Sequence, residues 1–267
     1  MRGVWLWVGA VIVTLAAAAW QRVSGPTWPV RGKVWLADGR KLAYRLPRSA
    51  EVGKRAAIAI PALPGWGAVL RYKRTPSREG WQELAMAQEG DKLVGYLREQ
   101  PPAGKVAYQL RLFPKAGGAE LAIPPQPVVL RFKGQVSPVL LLPHILAMFL
   151  GMLFANRAGL GVLFAESSIK RFVLPTLGLL AFGGLVLGPF VQKAAFGVYW
   201  SGFPLGRDLT DTKTVVAVLA WVWAFLQSRG GKRWPVLVAS LVTLAVFAVP
   251  HSLLGSEINW EALETAK

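Results

Sequence analysis

The chain has 267 residues, of which 53% are apolar and only 17% charged, against about 25% charge in an ordinary soluble domain. This deficit, with a mean hydropathy of +0.38, implies segments that never meet water and excludes disorder, collagen and coiled coil. The absence of cysteine removes disulfides, thiolate nucleophiles, cysteine zinc sites and covalent c-type heme, and leaves His144 and His251 as the whole imidazole supply.

Val4–Trp20 is an uncharged apolar run preceded by Arg2. A cleaved leader would suit the alanines Ala16–Ala19. A retained anchor suits the length and an interfacial Trp20, and is the preferred reading. Four more runs follow: Val136–Ala155, Phe172–Val191, Thr214–Gln227 and Trp234–Pro250. The expectation is a membrane α-helical bundle of about five spans.

Short-loop charges orient it. Loop Asn156–Arg171 carries Arg157, Lys170 and Arg171 against Glu166, and loop Ser228–Arg233 carries Arg229, Lys232 and Arg233 without an acid. Both read as cytoplasmic. Gln192–Lys213 is balanced and reads as outer, which places the long segment 21–135 and the C-terminus outside, in a cell inner membrane. The divisions read from sequence are an anchor or signal segment 1–23, an extracytoplasmic domain 24–135, a four-span bundle 136–251 with the outer loop 192–213, and a tail 252–267.

Segment 21–135 holds 20 Lys+Arg and 8 Asp+Glu, a net charge of +12. Lys33–Leu36 and Lys41–Leu46 flank Asp38-Gly39, a hairpin signal. Further strand candidates are Ala56–Ile60, Ala68–Lys73, Glu83–Gln88, Lys92–Leu97, Lys105–Phe113 and Val128–Phe132. About eight short strands separated by turns suit an all-β sandwich. The stretch from Val69 through Trp81 to Tyr108 resembles immunoglobulin-like or fibronectin-like extracellular modules, which implies a spacer or docking role. The positive charge suits anionic lipid or an acidic partner. No nucleic-acid motif is present, and no nucleic-acid partner is expected.

Chemistry is concentrated in three places. His144 lies about seven residues into the second span, and an ionisable group at that depth is a functional candidate. Its ordinary alternative is a neutral imidazole bonded to a carbonyl or hydroxyl of a neighbouring helix. Pro143 before it would loosen the helix and free a carbonyl. His251 follows Pro250 at the outer end of the last span. The loop Phe196–Lys213 crowds aromatics, glycines and acids. Asp211, or else Thr212, is the expected cap of the next helix. No phosphate loop, G-x-S-x-G or H-E-x-x-H appears.

Gly197, Tyr199 and Trp200, then Trp221 in the next helix and Arg229 after it, resemble the tryptophan-rich loop of the heme-handling membrane proteins of cytochrome c maturation. That family carries an outer W-G-x-Y-W-x-W-D loop and ligates heme through outer histidines. Phe196 replaces the first tryptophan, no tryptophan precedes an aspartate after Trp200, and Asp208 comes several residues late. The resemblance implies heme held by His144 and His251 and covered by Tyr199 and Trp200. Pro250-His251-Ser252 and Asp208-Leu209-Thr210-Asp211 also resemble a bacterial group of multi-pass membrane proteins to which no activity is attached.

Two functions compete. One is an outer-side ligand site, with heme preferred and a divalent metal on Asp208, Asp211 or Glu257 as second choice. The other is a non-catalytic accessory or assembly subunit that contacts membrane lipid and docks a membrane or extracytoplasmic protein through the β-domain.

Overall fold

A computed structural model of the chain describes residues 2–206, 208–250, 258 and 260. His251, Glu257, Arg207 and most of the tail lie outside these. The chain divides into two compact units, a helical one from residues 1–26 and 136–256 and a β-rich one from residues 27–135 and 257–267.

Among the described residues the helical unit holds five helices: α1 (Arg2–Ser24), α2 (Pro138–Leu163), α3 (Lys170–Phe196), α4 (Leu209–Arg229) and α5 (Trp234–Ala248). A helix satisfies its own backbone polar groups, so an apolar run of sufficient length closes in this form in lipid. Four helices, not five, are long and apolar enough to span a membrane. The exception is α5, whose 15 residues reach only about 22 Å. Large side chains such as Leu146, Leu174, Leu219 and Leu241 stay exposed on these helices, as lipid-facing surfaces do.

The helices meet through small residues. On α2, Gly151 faces Leu180 of α3 and Gly159 faces Ser240 of α5, where an added Cβ would collide. The core joins Ala155, Ala158, Phe172, Leu180, Trp221 and Ala239. Several polar side chains inside are paired across helices, although among the described residues the buried Nε of Arg157 is not. The indole of fully buried Trp221 donates to Thr243 Oγ1 at 2.7 Å, Ser240 Oγ donates to the Ala155 carbonyl at 2.8 Å, and Asn156 donates to Thr14 Oγ1 at 3.0 Å. Arg157, counted above as a loop charge, lies inside α2 and is fully buried.

The third expected span, Phe172–Val191, is one continuous helix to Phe196 with a π-helical stretch at Phe182–Leu187. Pro189 supplies the reason. It lacks an N–H for the carbonyl four residues back, and a wider turn before it relieves the ladder.

Among the described residues the β-rich unit has ten strands in three sheets: β1 (Val30–Trp35) with β2 (Lys41–Leu46); β3 (Ser49–Glu51), β10 (Leu121–Lys133), β9 (Lys105–Pro114), β5 (Trp66–Arg74) and β6 (Gln82–Ala85) in that order; and β4 (Ala56–Pro61), β8 (Lys92–Leu97) and β7 (Ala87–Glu89). Leu42 and Leu46, Ile58 and Leu97, and Leu70, Leu110 and Leu130 bring all three sheets onto one core. The segment expected as Glu83–Gln88 is two strands that split at Met86 and join different sheets. Strand β3 pairs parallel to β10 and is too short to signal itself. Tyr108 is fully buried and donates to the Pro47 carbonyl at 2.7 Å. Trp81 is half-buried beneath Arg71 and Lys73.

Candidate functional site

The His144 end of the helical unit is assembled by three segments. Helix α2 carries His144 and Met148. The π-helical stretch of α3 brings two glycines into the contact: a Cβ on Gly183 would collide with Ala147 and Met148, and one on Gly184 with Thr214 of α4. Both neighbours therefore approach the α3 backbone closely. His144 Nδ1 lies 2.8 Å from the Gly183 carbonyl. A carbonyl only accepts, so Nδ1–H donates, and the neutral ring keeps its lone pair on Nε2. The partner carbonyl comes from the π-helical stretch of α3, not from a loosened α2 at Pro143.

The loop from Gly197 to Asp208 is tied down from within. Gly197, at φ +85°, ends α3, and its N–H bonds the Lys193 carbonyl at 2.9 Å. Only a residue without Cβ adopts that left-handed geometry cheaply. Asp208 caps α4, its carboxylate accepting from Thr210 N at 2.8 Å. The expected cap, Asp211, sits inside the first turn instead. Its Oδ2 accepts from Ser201 N at 2.8 Å, Gly202 N at 3.0 Å and Gln192 Nε2 at 3.0 Å. Thr212 Oγ1 accepts from Phe203 N at 3.1 Å. Asp208 wins the cap because a capping residue precedes the first helical turn and bonds the N–H two or three residues on. The short Asp211 side chain then turns outward to hold the loop.

Among the described residues, the bonds made to the Asp211 carboxylate all end on Oδ2, none on Oδ1. A cavity of about 110 Å³ separates the loop's anchorage from α2. His144, Met148, Gly188, Gln192, Asp208 and Asp211 are among its lining residues. A second cavity of about 90 Å³, also lined by His144, is mostly apolar, with Ile145, Phe149 and Phe247 in its wall beside Gln21.

Of the residues singled out by sequence, His144, Asp208 and Asp211 are thus brought to one cavity. Tyr199 and Trp200 line neither cavity. Tyr199 packs edge-on against Phe190 beneath Lys193, and the Trp200 indole donates to the Gly202 and Phe203 carbonyls of its own loop. His251 and Glu257 lie outside the described residues. Among the described residues no three of His, Cys, Asp and Glu are grouped as a metal site. The sequence reading missed Gln192, which it placed in the outer loop and which the structure places within α3. It also missed the Gly183-Gly184 pair ahead of Pro189, which was a legible sign of helix irregularity.

At the opposite end of the unit, Glu166 accepts from Arg157 at 2.6 and 2.9 Å and from Arg171 at 3.2 Å, and its carbonyl accepts from Arg233. The Arg157 guanidinium bonded to Glu166 holds its carboxyl below the usual range. Trp7 and Phe172 cover the Arg157 guanidinium.

No protein-family model matches this chain, and neither a curated protein nor a solved structure matches it.

Proposed function

We propose that the protein is an integral membrane protein that holds a small polar ligand at the His144 end of its helical unit, on the outer side of the membrane. One observation carries this reading. An imidazole with a defined tautomer and two carboxylates line a single cavity in a unit otherwise built of apolar helices. Ionisable groups are costly at such positions and mark sites by default. Local π-helical turns are frequent where function needs a displaced carbonyl.

Size selects the ligand. About 110 Å³ falls short of the roughly 300–1,000 Å³ that encloses a drug-sized molecule. A cation that keeps its water suits the space, held across that water by Asp211, Asp208 and the His144 lone pair, since among the described residues no three such groups cluster as direct ligands. Heme is the second reading. It is favoured by the Nδ1–H bond to a carbonyl, the arrangement that orients metal-bound imidazoles, and it would have to lie across the open apolar side by Phe149 and Phe247. The β-rich unit, read as an immunoglobulin-like sandwich because its sheets share one core, serves as the docking surface for a partner in the accessory role.

The test is thermal unfolding of the detergent-purified protein with and without added divalent cations, alongside its absorbance spectrum. A cation that raises the melting temperature of the native protein but not of His144→Ala or Asp211→Asn supports the site. A heme band that is lost in His144→Ala supports the second reading. A colourless protein indifferent to every cation rejects both.

A further inference from the structure

The hairpin β1–β2 has two unlike faces. Val30, Val34, Leu42, Tyr44 and Leu46 turn toward the core of the β-rich unit. Residues alternate across a strand, and the register pairs Arg31 with Arg45, Lys33 with Ala43 and Trp35 with Lys41. These six side chains form the other face, and all are exposed. It carries four cations and no acid.

Arg31 and Arg45 sit directly opposite one another. Like charges in that position destabilise a sheet. Among the described residues none of the four cations has an ion-pair partner. Asp38 at the turn does not serve, because its carboxylate is engaged by Arg40 and by the Trp66 indole at 2.8 Å. Two of the four lie over aromatic rings instead: Arg31 over Trp28 at 5.4 Å and Lys41 over Trp35 at 5.4 Å. Trp35 is 67% exposed. An indole left in water beside unpaired cations is the composition of a surface that meets the headgroup layer of a membrane, where tryptophan is enriched and basic residues find phosphates.

Chain length makes the encounter available. Val30 is six residues beyond Ser24, the last residue of α1, so the tether alone keeps the start of the hairpin within about 20 Å of the end of that apolar helix. We infer that the outward face of β1–β2 is a docking surface for the anionic phospholipid headgroups of the membrane in which the chain is anchored, with Arg31, Lys33, Lys41 and Arg45 binding phosphate and Trp35 entering the interface.

The full chain, reconstituted in nanodiscs, tests this. Ala43→Cys places an environment-sensitive dye on the face, in a chain with no other cysteine. In bilayers containing a third phosphatidylglycerol the dye emission should shift to shorter wavelength and be quenched by headgroup-labelled lipid, and high salt should reverse both. In phosphatidylcholine alone the dye should report water. Arg31→Gln with Arg45→Gln should lower the bound-to-free ratio by about 25-fold, about fivefold per cation. Lys33→Gln with Lys41→Gln should do the same and stands in if the first pair fails to fold. Equal emission in the two bilayers, or no effect of a folded variant pair, overturns the inference. If soluble glycerophosphate produces the full shift in phosphatidylcholine nanodiscs, the face takes a soluble phosphate and the lipid assignment fails.

Discussion

Arg157 and Glu166 join the buried end of α2 to the loop that follows it, through two hydrogen bonds of 2.6 and 2.9 Å from one guanidinium to one carboxylate. Arg157 is fully buried and Glu166 is 19% exposed. A charge that deep in an apolar bundle is tolerable only when paired, and nine residues of chain, turning at Ala165 in the left-handed region (φ 53°), bring the partner back to it.

Removing the partner should therefore cost more than an average surface change. Glu166→Ala leaves a buried guanidinium without its counter-ion, a loss of about 3–5 kcal/mol, and should lower the apparent melting temperature more than Arg171→Ala. The pH dependence has a fixed sign. The folded carboxyl is depressed, so its contribution is present above the ordinary glutamate range and is lost as pH falls through the depressed value. Thermal melts should show Glu166→Gln converging with the native protein only as pH falls below the ordinary glutamate range.

The two loop aspartates hold different parts of the loop, and their variants should separate accordingly. Asp208→Ala removes a cap, at about 1 kcal/mol. Asp211→Ala strips the acceptor from the Ser201 and Gly202 N–H groups, at about 1–3 kcal/mol for each buried donor. Asp211→Ala should melt earlier than Asp208→Ala, and limited proteolysis should find new cleavage between Gly197 and Gly206. Equal melting of the two variants would remove the latch role of Asp211.

The topology is open to cysteine labelling, since the chain has none of its own. Ser228 is buried and bonded to the Phe225 carbonyl, so Lys232→Cys is the better reporter for that turn. In intact cells an impermeant reagent should modify Lys54→Cys on the β-rich unit and leave Lys232→Cys untouched until the membrane is opened. The reverse pattern would invert the assignment of sides.

The β-rich unit should fold on its own. Expressed as residues 27–135, it should give a β-type circular dichroism spectrum and a cooperative melt. Tyr108→Phe should lower that melt by about 1 kcal/mol, since the lost hydroxyl leaves the Pro47 carbonyl without its bond. A fragment without a cooperative transition would count against independence.

Much of this architecture was legible locally. An apolar run of 20 residues can satisfy its backbone in lipid only as a helix, and Asp38-Gly39 between alternating residues can only turn a hairpin, with Gly39 at φ +80°. Those features depend on neighbours in the chain. The candidate site does not. Nothing near His144 in sequence names the Gly183 carbonyl, 39 residues away. That carbonyl is exposed to it by a π-helical stretch that Pro189 induces and that Gly183 and Gly184 make approachable. Arg157 read as a loop charge because its partner, which makes burial bearable, is found only once α2 and its following turn are packed. Asp211 read as a cap because its spacing permits one; the loop folding back over α4 gave the carboxylate two backbone N–H groups and Gln192 instead. The chain's composition and periodicity set which segments enter the membrane and which form sheets, because those choices are made residue by residue against solvent. Which buried polar group meets which partner was decided by tertiary packing, because hydrogen bonds form at about 3 Å and the chain brings those atoms together only when the helices have closed.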